Sequence, residues 1–137
     1  MVAAQENKRR HPRVHQAVKV CFRFVGGPPL AQNHGSIDAV TRDISEGGMF
    51  IELGQGSKLR DDAIGNFMLF KSTLELEISL AGVSNPLHVQ GKAVWIEKKV
   101  AGREADYCRG VAVQFTKVKP EDAAQIRDFI QSVLSEE

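Results

Sequence analysis

The apolar positions of this chain fall into short alternating runs and one helical stripe. QAVKVCFRFV (Gln16–Val25) puts Val18, Val20, Phe22 and Phe24 on one face, which predicts a strand that GGPP (Gly26–Pro29) ends. SIDAVTRDI reads as a second strand, SEGG (Ser45–Gly48) as a turn and MFIEL as a third strand. TLELEISL alternates almost ideally, with Leu74, Leu76, Ile78 and Leu80 on one side. HVQGKAVWIEKK and CRGVAVQF add two more strands. In PEDAAQIRDFIQSVLSEE the period changes: Ile126, Phe129, Ile130, Val133 and Leu134 follow the spacing of one buried helical stripe. Pro120 at the first helical position, with Glu121 and Asp122 in the first turn, is a good helix start. The sum predicts an all-β fold, a six-stranded antiparallel β-barrel with one C-terminal α-helix over about 120–135.

With 137 residues, 42% of them hydrophobic, the chain has the size of one domain with a single core. Residues 1–8 read as a flexible arm, and residues 9–137 as the domain. The long connection 54–72 carries AIGNFMLF, read as an extra segment covering the barrel in preference to a partner-docking surface. Net charge is only +1, so no global field argues for a duplex nucleic-acid binder or a membrane-surface protein. The N-terminus lacks the apolar core of a signal peptide, and no run approaches the ~18 apolar residues of a membrane span. A cytoplasmic protein is expected, with Cys21 and Cys108 as buried reduced thiols.

Catalytic chemistry is missing from the pattern. The four histidines (His11, His15, His34, His88) are scattered and read as surface or loop residues, so no metal is expected. GQGSKL has Leu59 where a dinucleotide fingerprint needs a third glycine, and neither a phosphate-binding lysine loop nor a nucleophile elbow occurs. Glu75 and Glu77 lie opposite the leucines of their strand and read as its solvated face. A non-enzyme without a cofactor is the expectation. Seven Phe, one Tyr and one Trp on mostly core-like positions offer little to stack single-stranded bases. Trp95, between Val94 and Ile96, reads as core or strand-face packing.

Two short stretches carry chemistry. KRRHPRV puts Lys8, Arg9, Arg10 and Arg13 ahead of the first strand, and Pro12 disfavours helix at His11. In an extended chain Arg9 and Arg13 share a side, up to ~14 Å apart between backbones. A guanidinium can clasp a phosphate through two hydrogen bonds, or meet guanine O6 and N7 in the same way. In DISEGG, Asp43 and Ser45 stand two apart at a strand end and can project to one face. Asp43 can accept from the N–H groups of guanine, Ser45 can donate or accept, and Gly47 and Gly48 allow a conformation or approach that a Cβ forbids. Alone, the first stretch reads sooner as a solvated basic tail and the second as an ordinary hairpin turn.

Together, in this order and about thirty residues apart, RRHPR and DISEGG resemble the two signatures of PilZ domains, R-x-x-x-R and [D/N]-x-S-x-x-G. The resemblance runs from about residue 8 to 135, through the Val94–Trp95 and GVAVQF strands to the terminal helix. It implies a six-stranded barrel that binds the bacterial second messenger cyclic di-GMP. Arg9 and Arg13 would then engage phosphates and guanine edges, Asp43 and Ser45 would read a base, and Gly48 would keep the surface flat for the ligand. In that family the residue before the first motif arginine bears on whether one nucleotide or an intercalated pair is bound. Lys8 stands there and, with Arg10, adds cation density that favours the pair. The implied role is a stand-alone receptor whose arm folds over the nucleotide and presents a new surface to an unidentified downstream protein, in motility, adhesion or exopolysaccharide output. The alternative is a nucleotide-independent scaffold of motility or pilus machinery. Neither nucleic acid nor membrane insertion is expected.

Overall fold

The structure is a computed structural model that describes residues 12–25, 36–53, 72–99 and 107–136. Six strands, β1 (Lys19–Val25), β2 (Ile37–Ile44), β3 (Gly48–Glu52), β4 (Thr73–Ser79), β5 (Leu87–Lys99) and β6 (Tyr107–Lys117), precede a helix, α1 (Pro120–Ser135). They form a closed barrel in the order β1-β2-β3-β6-β5-β4, every neighbouring pair antiparallel. Closure leaves no free sheet edge. The expected fold class and all seven elements are present, with ends shifted by a few residues at most.

Alternation decides which side chains fill the barrel. Val20, Phe22 and Phe24 of β1 and Leu74, Leu76 and Ile78 of β4 are all 4% exposed or less. Each side chain of this size contributes roughly 1.5–3 kcal/mol when fully buried. Arg23 and Glu75 point the other way and meet at 2.7 Å on the outer surface. His88 and Glu77 also stand exposed there, 3.9 Å apart. Cys21 corrects an expectation: it follows the outward phase of β1 and is only half-buried, because its apolar neighbours Val20 and Phe22 take the inward positions. Burial, aided by Asp38, raises its thiol pKa despite a hydrogen bond with Ser36 that lowers it.

Antiparallel pairing sorts the connections by end. The β2–β3 and β4–β5 turns, the start of β1 and the exit of β6 into α1 all gather at one end of the barrel. The strand ends leading to residues 26–35, 54–71 and 100–106 lie at the other. The expected covering segment 54–72 therefore falls, apart from Ser72, outside the described residues. Helix α1 lies at the first end, with Ile126 and Ile130 buried and Phe129, Val133 and Leu134 packed beside them. Among the described residues, no helix is long and apolar enough to cross a membrane.

Candidate functional site

The root of the N-terminal arm is fastened beside β2 by ordinary backbone chemistry. Val14 and Ile44 exchange two hydrogen bonds of 3.0 Å, and both side chains are buried. Two residues further, the hydroxyl of Thr41 donates to the Gln16 carbonyl at 2.7 Å and accepts from the Val18 N–H at 3.0 Å. Thr41 is 2% exposed, so this hydroxyl replaces the water these backbone groups have lost. The consequence is positional: Arg13 is delivered to the end of β2. There its guanidinium donates to Asp43 Oδ1 at 3.2 Å across thirty residues of sequence. One residue from each sequence motif thus meets the other. Lys8, Arg9 and Arg10, the other cations expected here, lie outside the described residues.

A bulge in β2 explains why Asp43 is available. The β2–β3 register shifts between Thr41 and Asp43. Thr41 and Ile44 point inward, and the two residues between them, Arg42 and Asp43, both face out. Asp43 stands opposite Phe50 of β3, Phe50 opposite Ala112 of β6, and Ala112 opposite Trp95 of β5. This row crosses the outer wall over three inter-strand steps, about 14 Å at roughly 4.8 Å each. Phe50 is only 4% exposed although it faces outward. Its ring lies over Gly110, where any Cβ would collide with it, beneath the Arg42 guanidinium at 4.2 Å and 6.0 Å from the Trp95 ring.

Trp95 closes the row with 53% of its surface exposed, beside Val94 at 48%. It packs on a strand face as expected, but on the outer face and not in the core. The register shift between Ala93 and Trp95 turns two successive residues outward and so breaks the alternation that its neighbours suggested.

Arg42 is a site residue that the motifs alone did not mark. It donates to Glu52 at 2.9 Å and, through both terminal nitrogens, to Glu97 at 3.2 and 3.0 Å. These bonds, Glu97 first, raise its pKa, so it is a fixed cation over the aromatic floor. The signal was present in the sequence as an arginine adjoining Asp43, a pair that strict alternation would have set on opposite faces.

The remaining motif residues build the turn. Ser45 is 5% exposed; its N–H donates to the Gly48 carbonyl at 2.8 Å, and its hydroxyl, which accepts from Gly47 N–H, reaches the same carbonyl at 3.3 Å. β2 has ended at Ile44, so the alternation that would have set Ser45 beside Asp43 no longer operates. The Gly47 carbonyl accepts from Phe115 N–H at 2.9 Å, joining the turn to β6. At Gly48 a Cβ would run into the Val113 carbonyl, so this glycine lets β3 approach β6. Glu46 reaches the other way and accepts two hydrogen bonds from Arg127 of α1, at 3.1 and 2.9 Å, which raise the arginine's pKa. Among the described residues, no three His, Cys, Asp or Glu side chains gather to hold a metal.

Comparison with known proteins places this arrangement. The family model described as PilZ domain matches residues 7–132. No curated protein matches the chain in sequence. Among solved structures it is similar to the Bacillus subtilis inhibitor of motility MotI/DgrA, with a TM-score of 0.63 and 14% identity over 95% of this chain and 53% of that one. It is also similar to the PilZ domain of YcgR from Escherichia coli, solved with c-di-GMP, with a TM-score of 0.58 and 16% identity over 94% and 93% of the two chains. A third is the MrkH–c-di-GMP complex of K. pneumonia, with a TM-score of 0.58 and 14% identity over 93% and 53%. The chain thus spans about half the length of MotI/DgrA and MrkH.

Proposed function

The chain belongs to the PilZ domain family, and from that premise we propose that it is a receptor for cyclic di-GMP which signals through a partner protein. The single observation that carries the reading is the meeting of Arg13 with Asp43 at one end of a cross-strand row that finishes in an exposed indole. YcgR and MrkH, solved with c-di-GMP, support it as relatives in fold.

Each residue then has a chemical part. Asp43, a carboxylate with 14% of its side chain exposed, accepts from the N1 and N2 hydrogens of a guanine. Arg13 exchanges this carboxylate for a phosphate or a guanine edge, so the guanidinium keeps an anionic or acceptor partner throughout. Arg9, Arg10 and Lys8 add cations from the arm, a density suited to the four phosphates of an intercalated pair. Ser45, Gly47 and Gly48 hold the turn that fixes Asp43. Trp95 and Val94 offer an apolar wall on the same outer surface. Residues 1–13 close over the nucleotide, an ordering of the kind other switches use.

Calorimetric titration with cyclic di-GMP tests the reading, with GMP and a short single-stranded RNA as controls. Saturable heat with cyclic di-GMP alone is expected, at two nucleotides per chain. Trp95 is the one tryptophan in the chain, so its emission should change in the same titration. A verified fold with no heat at several temperatures sinks the receptor in favour of a nucleotide-independent scaffold. Amide exchange in residues 5–14 that stays equally fast with ligand rejects the closing arm.

A further inference from the structure

A second concavity lies at the same end of the barrel, between the β4–β5 turn and α1, and belongs to no part of the nucleotide reading. It encloses about 690 Å³. Its apolar lining comes from Val83, Pro86, Leu87 and Phe129, and its charge from Asp122 and Asp128. Among the described residues, no lysine, arginine or histidine lines it. Among the described residues neither aspartate has a hydrogen-bonded or ion-paired partner, whereas Glu46, Glu52, Glu75 and Glu97 each hold an arginine. Asp128 feels the charge of its neighbour Arg127, whose hydrogen bonds go to Glu46. With Asp122 it still sets two carboxylates beside an apolar floor, complementary to a cation carried next to an apolar side chain.

The helix is divided to suit. At ~100° per residue, its buried stripe of Ile126 and Ile130 is flanked on one side by Arg127, which holds Glu46. Asp122, Gln125, Phe129 and Ser132 fall on the other flank, and Asp128 lines the groove from the solvent face opposite the stripe.

We propose that this groove docks a basic segment of a partner protein, one that sets an apolar residue against Phe129 and Pro86 and an arginine or lysine against Asp128 and Asp122. The inference stands apart from the nucleotide reading, so its test contains no nucleotide.

A fluorescein-labelled peptide alternating arginine and leucine is titrated with the full chain and followed by anisotropy, with a glutamate–leucine peptide as control. Saturable binding is expected for the basic peptide alone. It should weaken at least ~10-fold in Asp128→Lys and fall steeply at about 0.5 M salt, where such charges are screened. Amide shifts should move at residues 82–87 and 122–132. Asp128 and Gln125 are exposed on the helix, so Gln125→Lys supplies a second variant with the same expected loss. Absence of saturable binding overturns the proposal, as does binding that both variants leave unchanged. Shifts centred on Arg13 and Asp43 would assign the peptide to the nucleotide face and equally overturn it. Self-association of the chain that competes with the peptide would make a second copy's basic arm the occupant, again against the proposal.

Discussion

Gly48 separates what the motif does for the fold from what it does for a ligand. A side chain there points between strands and not into solvent: a Cβ at Gly48 would meet the carbonyl oxygen of Val113, with the Gln114 Cα at 3.4 Å. Both obstacles are backbone, so no rotamer change relieves Gly48→Ala. The start of β3 must retreat from β6 by on the order of 1 Å to reach the ~3.5–4.0 Å of a favourable contact. Overpacking of this kind costs about 1–3 kcal/mol. The retreat also stretches the two bonds that fix the turn, Ser45 N–H to Gly48 carbonyl and Phe115 N–H to Gly47 carbonyl. At roughly 0.5–1.5 kcal/mol for each such bond, the total is about 2–6 kcal/mol. For a chain of 137 residues that lowers the melting temperature by roughly 6–30 °C. Urea denaturation with an unchanged slope would measure it directly. A variant within about 0.5 kcal/mol of the parent would refute the reasoning, since ordinary surface substitutions stay inside that margin. If that same variant had lost cyclic di-GMP binding, Gly48 would serve the ligand and not the strand pairing.

Three further outcomes follow from the same geometry. Arg13→Ala should weaken cyclic di-GMP binding about fivefold to over a hundredfold, the ~1–3 kcal/mol of one bidentate contact, in the calorimetric titration. Its thermal stability should fall by no more than about 1 kcal/mol, because the Arg13–Asp43 pair is partly exposed. Thr41→Val keeps the side-chain shape but leaves the buried Val18 N–H and Gln16 carbonyl without their shared hydroxyl. A loss of about 1–3 kcal/mol in denaturation is expected, with faster amide exchange at Val14 and Val18. In a Cys108→Ser background, iodoacetamide should alkylate Cys21 more slowly in the folded chain than in the unfolded one at mildly alkaline pH, since burial raises this thiol's pKa. The folded state holds that proton more tightly, so stability falls as pH rises through the unfolded thiol's value near 9.0, and the fall stops above the folded value.

The barrel was legible because its inner wall obeys period two almost without exception, and α1 because its stripe obeys 3.6. Leu74, Leu76 and Ile78 are each 0% exposed in the phase the sequence assigns them. The outer wall was harder to read, since register shifts rewrite it. One in β2 turns Arg42 and Asp43 out together, and one of the three along the β5–β6 pairing does the same for Val94 and Trp95. A bulge adds one residue to one strand and leaves no residue type behind as its mark, so periodicity misassigns the face of everything it displaces. Long-range bonds were equally hidden. Nothing local announces that Thr41 will hold Gln16 and Val18, or that Glu46 will find Arg127 eighty-one residues away. What the motifs did convey was the pairing of two distant segments, and Arg13 and Asp43 carry it.

The answer to why a nearly neutral chain concentrates its cations ahead of β1 lies in the barrel's connectivity. Antiparallel closure brings the start of β1, the β2–β3 turn and the exit into α1 to one end. The arm therefore needs only the Val14–Ile44 bridge and the Thr41 hydroxyl to deliver Arg13 to Asp43. The same turn is held on its other side by Arg127, whose helix presents Asp122 and Asp128 to the groove beyond. A charge change at Asp43 is thus one turn away from an ion pair on the helix. The anionic nucleotide proposed for the outer wall meets Arg13 and Arg42 there, whereas the groove offers it Asp122 and Asp128. The two aspartates would repel a phosphate, so electrostatics disfavours the nucleotide in the groove proposed for the basic segment.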